Sequence, residues 1–151
     1  MITGEPLLIL YIEDDPAHAE IGIRNLNEHR IGNKIIHLSD GQQALDYLFR
    51  QGIYSNPEDS PRPNLILLDL RLPKVDGMEV LEKVRGNDNL RCIPIVILTT
   101  SETESDITKA YDLNVSSYLV KPLDFDNFSK MMESFGFYWM AWNKYPICND
   151  K

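Results

Sequence analysis

Cysteine is scarce in this chain: Cys92 and Cys148 are the only two among 151 residues. So small a number excludes a scaffold stapled by several disulfides. Because Cys92 adjoins an apolar run, the expectation is two free thiols. Neither cysteine has a second one at metal-binding spacing, which removes structural zinc. His18, His29 and His37 are not at ligand spacing either and read as surface or packing residues. Positive charge is the next deficit, with 15 Lys and Arg against 23 Asp and Glu and a net charge of -8. A duplex-DNA surface needs a basic stripe to neutralise phosphates, so direct nucleic-acid binding is not expected. Long apolar runs are missing too. None approaches the roughly 20 residues that span a bilayer, and no basic segment followed by an apolar one opens the chain. The expectation is a cytoplasmic protein that does not enter a membrane.

What is present is the composition of a globular protein, 43% hydrophobic and 25% charged, with room for one ordinary domain. Strand-like and helix-like runs alternate five times, the pattern of stacked βαβ units. The strands are read at 7–12, 34–38, 64–69, 93–99 and 116–120. Between them, apolar residues recur at helical spacing: Ile23 with Leu26, Leu45 with Leu48, Val80 with Val84, and Ile107 with Ala110 and Tyr111. Phe128, Met131, Met132 and Phe135 mark a fifth helix. The fold class is therefore α/β, a five-stranded parallel sheet with helices on both faces, since continuous apolar strands are those buried on both sides. Two stretches break the rhythm. Residues 51–63 hold three prolines and a glycine and read as a long surface loop. Residues 135–146 crowd aromatics into a tail, which must fold back on its own domain or meet another chain.

Four of the apolar runs end in polar residues. The run 7–12 stops at Glu13, Asp14 and Asp15; 65–68 stops at Asp69; 93–98 stops at Thr99; and 118–120 stops at Lys121. In an open parallel sheet these carboxyl ends share the edge where ligands bind. Clustered carboxylates repel unless a divalent cation and a lysine offset them, which implies a hard metal such as Mg²⁺. Asp69, alone at the end of a buried strand, can act as a nucleophile toward phosphorus and form an acyl phosphate. Asp14 and Asp69 would then hold Mg²⁺, with Glu13 acting through bound water. The Lys121 ammonium and the Thr99 hydroxyl would contact phosphoryl oxygens.

Taken singly, each residue has a plainer reading. Asp15 before Pro16 is a helix cap, and Asp76 before Gly77 is turn chemistry. Lys121 alone would be a solvated charge and Thr99 a β-branched strand residue. Glu102, Glu104 and the acids of the fourth helix read as a solvated charged face. It is the arrival of four such residues at four strand ends that favours a phosphoacceptor site.

The acidic pair Glu13-Asp14, the segment Asp69 to Gly77, Thr99, and the run Tyr118 to Pro122 resemble the receiver domains of two-component response regulators over about residues 6–134. The resemblance implies a sheet of order 2-1-3-4-5, a flavodoxin-like receiver fold. It also implies a sensor histidine kinase as phosphoryl donor and Asp69 as acceptor. Asp14 and the Arg71 backbone carbonyl become further Mg²⁺ ligands, Thr99 and Lys121 phosphoryl contacts, and Tyr118 with Thr99 the switch. It further implies a cis bond before Pro122, where the penalty is only about 0.5–1 kcal/mol. Arg71 and Ser101, two positions after Asp69 and Thr99, lie where the family varies and influence access of the hydrolytic water. The spacing to Lys121 selects Thr99 over Thr100.

The 51–63 loop and the aromatic tail are also similar to the single-domain regulators paired with cyanobacterial phytochrome kinases, several of which are homodimers. On that resemblance the expected unit is a receiver at 1–134 with an extension at 135–151 and no effector domain, and not an enzyme. Its partners would be a sensor histidine kinase, a bacterial phytochrome on the narrower resemblance, and a second copy. That copy would dock through the fourth helix, fifth strand and fifth helix or through the extension. The rivals are a phytochrome-independent receiver and a Mg²⁺-dependent aspartyl phosphohydrolase. The latter needs a second carboxylate near the nucleophile, commonly where this chain has Arg71.

Overall fold

A computed structural model of the chain describes residues 6–28 and 33–148, so His29 lies outside the described residues. Strands β1 (Leu8–Ile12), β2 (Lys34–Leu38), β3 (Leu65–Leu68), β4 (Ile95–Thr99) and β5 (Ser117–Val120) form one sheet in the order β2-β1-β3-β4-β5. Every pairing is parallel. Each strand lies within two residues of its expected start and end.

Parallel strands need crossovers, and four helices supply them: α1 (Pro16–Leu26), α2 (Gly41–Leu48), α3 (Gly77–Arg85) and α4 (Glu104–Asp112), with α5 (Phe125–Gly136) following the last strand. Side chains alternate across a strand, so the sheet feeds two cores. Leu10, Ile12, Ile66, Leu68, Ile95 and Ile97 face α2, α3 and α4. Ile9, Tyr11, Leu65, Leu67, Val96 and Leu98 face α1 and α5, where they meet Phe128, Met132 and Phe135. The apolar periodicity of α5 thus lands on the core. That of α4 does not: only Ala110 is buried, and Tyr111 is half exposed. Its spacing was helical, but the helix rests on the sheet by one small residue.

Caps explain where helices begin. Asp15 accepts from the backbone N–H of Ala17 at 2.9 Å, with Pro16 opening α1. Asp40, Thr103 and Asp124 serve α2, α4 and α5 in the same manner. Asp76 makes no such bond, and here backbone contact takes over. A Cβ on Gly77 would fall 2.1 Å from the Asp69 carbonyl oxygen, so only glycine lets α3 start against the strand end.

The 51–63 segment is held in place. Two short 3₁₀ turns, Gly52–Tyr54 and Pro57–Asp59, are pinned to α2 by Tyr47 Oη donating to the Pro61 carbonyl (2.6 Å) and Arg62 Nη1 donating to the Leu48 carbonyl (2.7 Å). Ser60 is buried within it.

Beyond α5 the chain makes a π-helical turn, Phe137–Trp142. Met140 enters the α1/α5 core and Trp139 stacks on Phe135, while Phe137, Tyr138 and Trp142 stay exposed. The tail then returns to the α2/α3/α4 face, and Cys148 is disulfide-bonded to Cys92, Cα to Cα 6.0 Å. The expected free thiols are therefore corrected. Cys92 lies just before β4, at the sheet edge opposite the acidic residues, and the tail brings its partner there across 56 positions of sequence. Loop closure of that length predicts that Cys148→Ser lowers unfolding free energy by about 4 kcal/mol. Urea denaturation under non-reducing conditions measures it, and an equal midpoint in variant and parent would contradict it.

Candidate functional site

The strand ends converge as the register requires. Ile12 pairs with Leu68, and the next step brings Asp69 N–H onto the Ile12 carbonyl at 3.1 Å, which sets Asp69 beside Glu13. Thr99 pairs with Val120, and Lys121 N–H reaches the Thr99 carbonyl at 2.7 Å. From there the Lys121 ammonium extends to Asp69 Oδ2 (2.9 Å) and also ion-pairs with Glu13 Oε1.

No cis peptide occurs among the described residues, so the expected cis bond before Pro122 is corrected to trans. The register of β5 against β4 already aims Lys121 at Asp69, and the ammonium arrives without that bend.

Burial differs sharply within the acidic cluster. Glu13 is fully buried and Asp69 nearly so, whereas Asp14 is exposed. Ligand oxygens of Glu13, Asp14 and Asp69 all lie within 4.8 Å of one another. Three carboxylates at one point are hard oxygen donors, the set a small divalent cation takes. Burial pushes the Glu13 carboxyl up to about 7, although Lys121 pulls against it. For Lys121 burial disfavours the ammonium, yet the Asp69 and Glu13 charges outweigh it and raise its pKa. A proton, Lys121 and a cation thus compete for the same negative charge. Asp69 Oδ1 accepts from the Arg71 backbone N–H at 3.1 Å, which fixes the carboxylate plane.

Around this centre, Thr99 is buried and its Oγ1 accepts from Ser101 N–H at 3.4 Å. Tyr118 is half buried, its hydroxyl donating to the Ser101 carbonyl at 2.8 Å. His18 packs against Phe125 and Phe128, ring centroids 5.5 and 4.8 Å away, and burial lowers its pKa. His37 Nε2 donates to the Glu13 carbonyl at 2.7 Å. His18 is thus a packing residue, while His37 lies exposed on β2.

Asp106 departs from expectation. It belongs to α4, whose acids read as a solvated face, but its carboxylate takes the Arg71 guanidinium and the Ser101 hydroxyl. Ser101 first, and Arg71 with it, hold its carboxyl below the usual range. The Arg71 partner lies 35 positions away in sequence, and no local pattern announces it.

Comparison with known proteins agrees with this geometry. The model of the response regulator receiver domain matches residues 9–133. The chain is 42% identical to the probable methanogenesis regulatory protein FilR2 of Methanothrix harundinacea, covering 94% of this chain and 89% of that one. It is also 42% identical to response regulator Rcp1 of Synechocystis sp., over 91% of this chain and 92% of the relative. The crystal structure of the Mn²⁺-bound form of Rcp1 superposes with a TM-score of 0.89, covering 94% of this chain and all of that one at 41% identity. The phosphorylated cyanobacterial phytochrome response regulator RcpA is similar at 0.88, with 33% identity over 94% of this chain and 99% of that one.

Proposed function

The chain belongs to the response regulator receiver domain family, whose members are signalling proteins, and from that premise we propose that Asp69 accepts a phosphoryl group from the phosphohistidine of a sensor histidine kinase. The observation that carries this reading is the 2.9 Å contact of the Lys121 ammonium with the Asp69 carboxylate, inside the cluster of Glu13 and Asp14. An Asp69 oxygen attacks phosphorus, the bond from phosphorus to the histidine nitrogen breaks, and the proton needed by the leaving imidazole comes from the kinase or solvent. Lys121 holds one equatorial oxygen as a point charge and the Thr99 hydroxyl donates to another. Asp14, Asp69, the Arg71 backbone carbonyl and, through water, Glu13 would hold Mg²⁺. When bound, the ion neutralises charge on the transferring group.

Signalling then follows from the hydroxyl. Thr99 turning toward the phosphoryl oxygens gives up Ser101 N–H, and the loop that carries the Tyr118 hydrogen bond moves with it. A local charge change becomes a changed surface on α4, β5 and α5. The protein acts by binding and not as an enzyme. Arg71 stands where a phosphohydrolase would place its acid–base carboxylate, and its guanidinium is turned to Asp106. Residues 1–134 serve as the receiver and 135–151 as an extension to it, in the cytoplasm. Among the described residues no helix is long and apolar enough to cross a membrane.

Likeness to Rcp1 and RcpA supports a bacterial phytochrome as the kinase. The test is transfer of label from purified autophosphorylated kinases to this chain, with and without excess chelator. A phytochrome kinase is expected to label it within seconds and only with Mg²⁺. Faster transfer from another kinase would point to the phytochrome-independent receiver, and equal labelling in chelator would remove the metal. The exposed Phe137, Tyr138 and Trp142, with Tyr111 on α4, support a homodimer through the extension or through α4, β5 and α5. Sedimentation at micromolar concentration is expected to show two copies. Monomer alone, with and without a small phosphodonor, would end that proposal.

A further inference from the structure

The disulfide between Cys92 and Cys148 has no part in phosphoryl transfer, since it lies at the sheet edge opposite Asp69. Cys92 is exposed and Cys148 only partly buried, so small solutes reach the bond. Residues 143–148 form neither helix nor strand. They are seated at their start, where Asn143 N–H meets the Tyr138 carbonyl at 2.8 Å and the Tyr145 hydroxyl donates to the Trp139 carbonyl at 2.7 Å. Beyond that, Pro146 is exposed and Ile147 is 94% exposed before Cys148 returns to the domain. An apolar side chain left in water shows that the sulfur bond, more than the packing of its neighbours, holds the end of the extension. The surroundings of Cys92 are basic in a chain whose net charge is -8. Cys92 lines a surface cavity with Arg85, Arg91, Asn114 and Ser116, and no carboxylate lines it. Arg85 Nη1 donates to the carbonyls of Arg91 and Ile93, on either side of Cys92, at 2.9 Å each. Its other bonds go to the Leu113 and Asn114 carbonyls, so main-chain oxygens rather than an acid meet its charge. Arg91 lies 3.4 Å from Asp88, but both are largely exposed and such a pair is weak in water.

We propose that the Cys92–Cys148 pair is a site of reversible exchange with small anionic thiols, and that its opening frees the end of the extension while the receiver stays folded. This goes beyond phosphoryl acceptance and does not depend on it. The cavity attracts an anion, and guanidinium groups beside a sulfur favour its thiolate. The incoming thiolate attacks Cys148 Sγ, the bond between the two protein sulfurs breaks, and its electron pair leaves on Cys92 Sγ, the sulfur of the basic cavity. A second thiolate attacks the small-molecule sulfur of the mixed disulfide, releasing a small-molecule disulfide and the Cys148 thiolate. The two protons lost by the incoming thiols end on the two cysteines. Two thiols have then been oxidised and the cysteine pair reduced, and the small-molecule disulfide reverses each step. In the cytoplasm proposed for this chain, lasting disulfides are rare, and an accessible one is open to such exchange.

The experiment treats the oxidised full chain, without denaturant and at low salt, with mercaptopropionate or cysteamine at equal thiolate concentration. Opening is read by alkylation and mass. The anionic thiol is expected to open the bond about fivefold faster than the cationic one, and Arg91→Gln to bring that ratio towards one. Trypsin, read by mass after a reducing quench, is expected to cut after Lys144 about tenfold faster in the opened chain than in the closed one, while the rest of the chain resists. Cys148→Ser should be cut at the fast rate with or without thiol. A bond that opens only in denaturant, equal rates with the two thiols, equal cutting after Lys144 in the open and closed forms, or digestion of the whole chain on opening would each overturn the proposal.

Discussion

Asp69→Asn is expected to take no label from acetyl phosphate, whereas the parent chain is expected to gain an acid-labile, hydroxylamine-sensitive phosphoryl group. The amide keeps the size and hydrogen-bonding oxygen of the carboxylate but lacks its nucleophilicity, so labelling falls to background while the geometry persists. The substitution should not unfold the protein. Asp69 is one of three carboxylates crowded at the strand ends, and the Lys121 ammonium keeps Glu13 as a partner when it is neutralised. Removing one of several like charges relieves repulsion. Thermal unfolding of the variant without Mg²⁺ is therefore expected at or above the parent temperature. Label retained by Asp69→Asn would show that phosphorus goes elsewhere.

Lys121→Met acts in the opposite sense. Methionine fills the length of the lysine stem but leaves the fully buried Glu13 facing Asp69 with no cation between them. Stranding buried charge in this manner costs about 3–5 kcal/mol, measured as loss of unfolding free energy in chelator. Its pH dependence has a definite sign. Glu13 in the fold already sits at about 7 against an ordinary 4.5 because burial disfavours the carboxylate. A raised carboxyl means that the folded state binds more protons than the unfolded one between those values, so stability falls as pH rises through the window. Without Lys121 the shift grows, and the deficit of the variant is larger at pH 8 than at pH 5. Equal deficits at both would show that Glu13 is not the stranded group. Labelling of Asp69 should also drop, since the point charge on one phosphoryl oxygen is gone.

Much of this site was legible because it depends on strand ends. Apolar runs that stop at Glu13, Asp69, Thr99 and Lys121 name both the buried strand and the residue delivered to its edge, and a parallel register does the rest. Asp15 was legible as a cap for the same local reason, since proline follows it. What escaped were contacts between distant segments. Asp106 gives no sign in sequence that Arg71 will reach it, and Cys148 none that the tail will return to Cys92. The geometry at Pro122 escaped differently: the family resemblance supplied a cis bond, whereas here the pairing of Thr99 with Val120 brings Lys121 to Asp69 through a trans one. On α4 the helical spacing was right and the burial was not, because periodicity states which residues share a stripe and not how closely that stripe is pressed to the sheet.

The link between Cys92 and Cys148 divides the chain into an open strip and a closed ring. Thr99, Asp106 and Lys121 belong to the ring, which holds β4, α4, β5 and α5; Glu13, Asp14 and Asp69 belong to the strip. If the oxidised protein is drawn out by its two ends, tension passes through the sulfurs and bypasses the 56-position ring, so only the strip can lengthen. The strip carries Asp69 and the ring carries its lysine, so lengthening the strip parts that ion pair while the half that carries Lys121 is still closed.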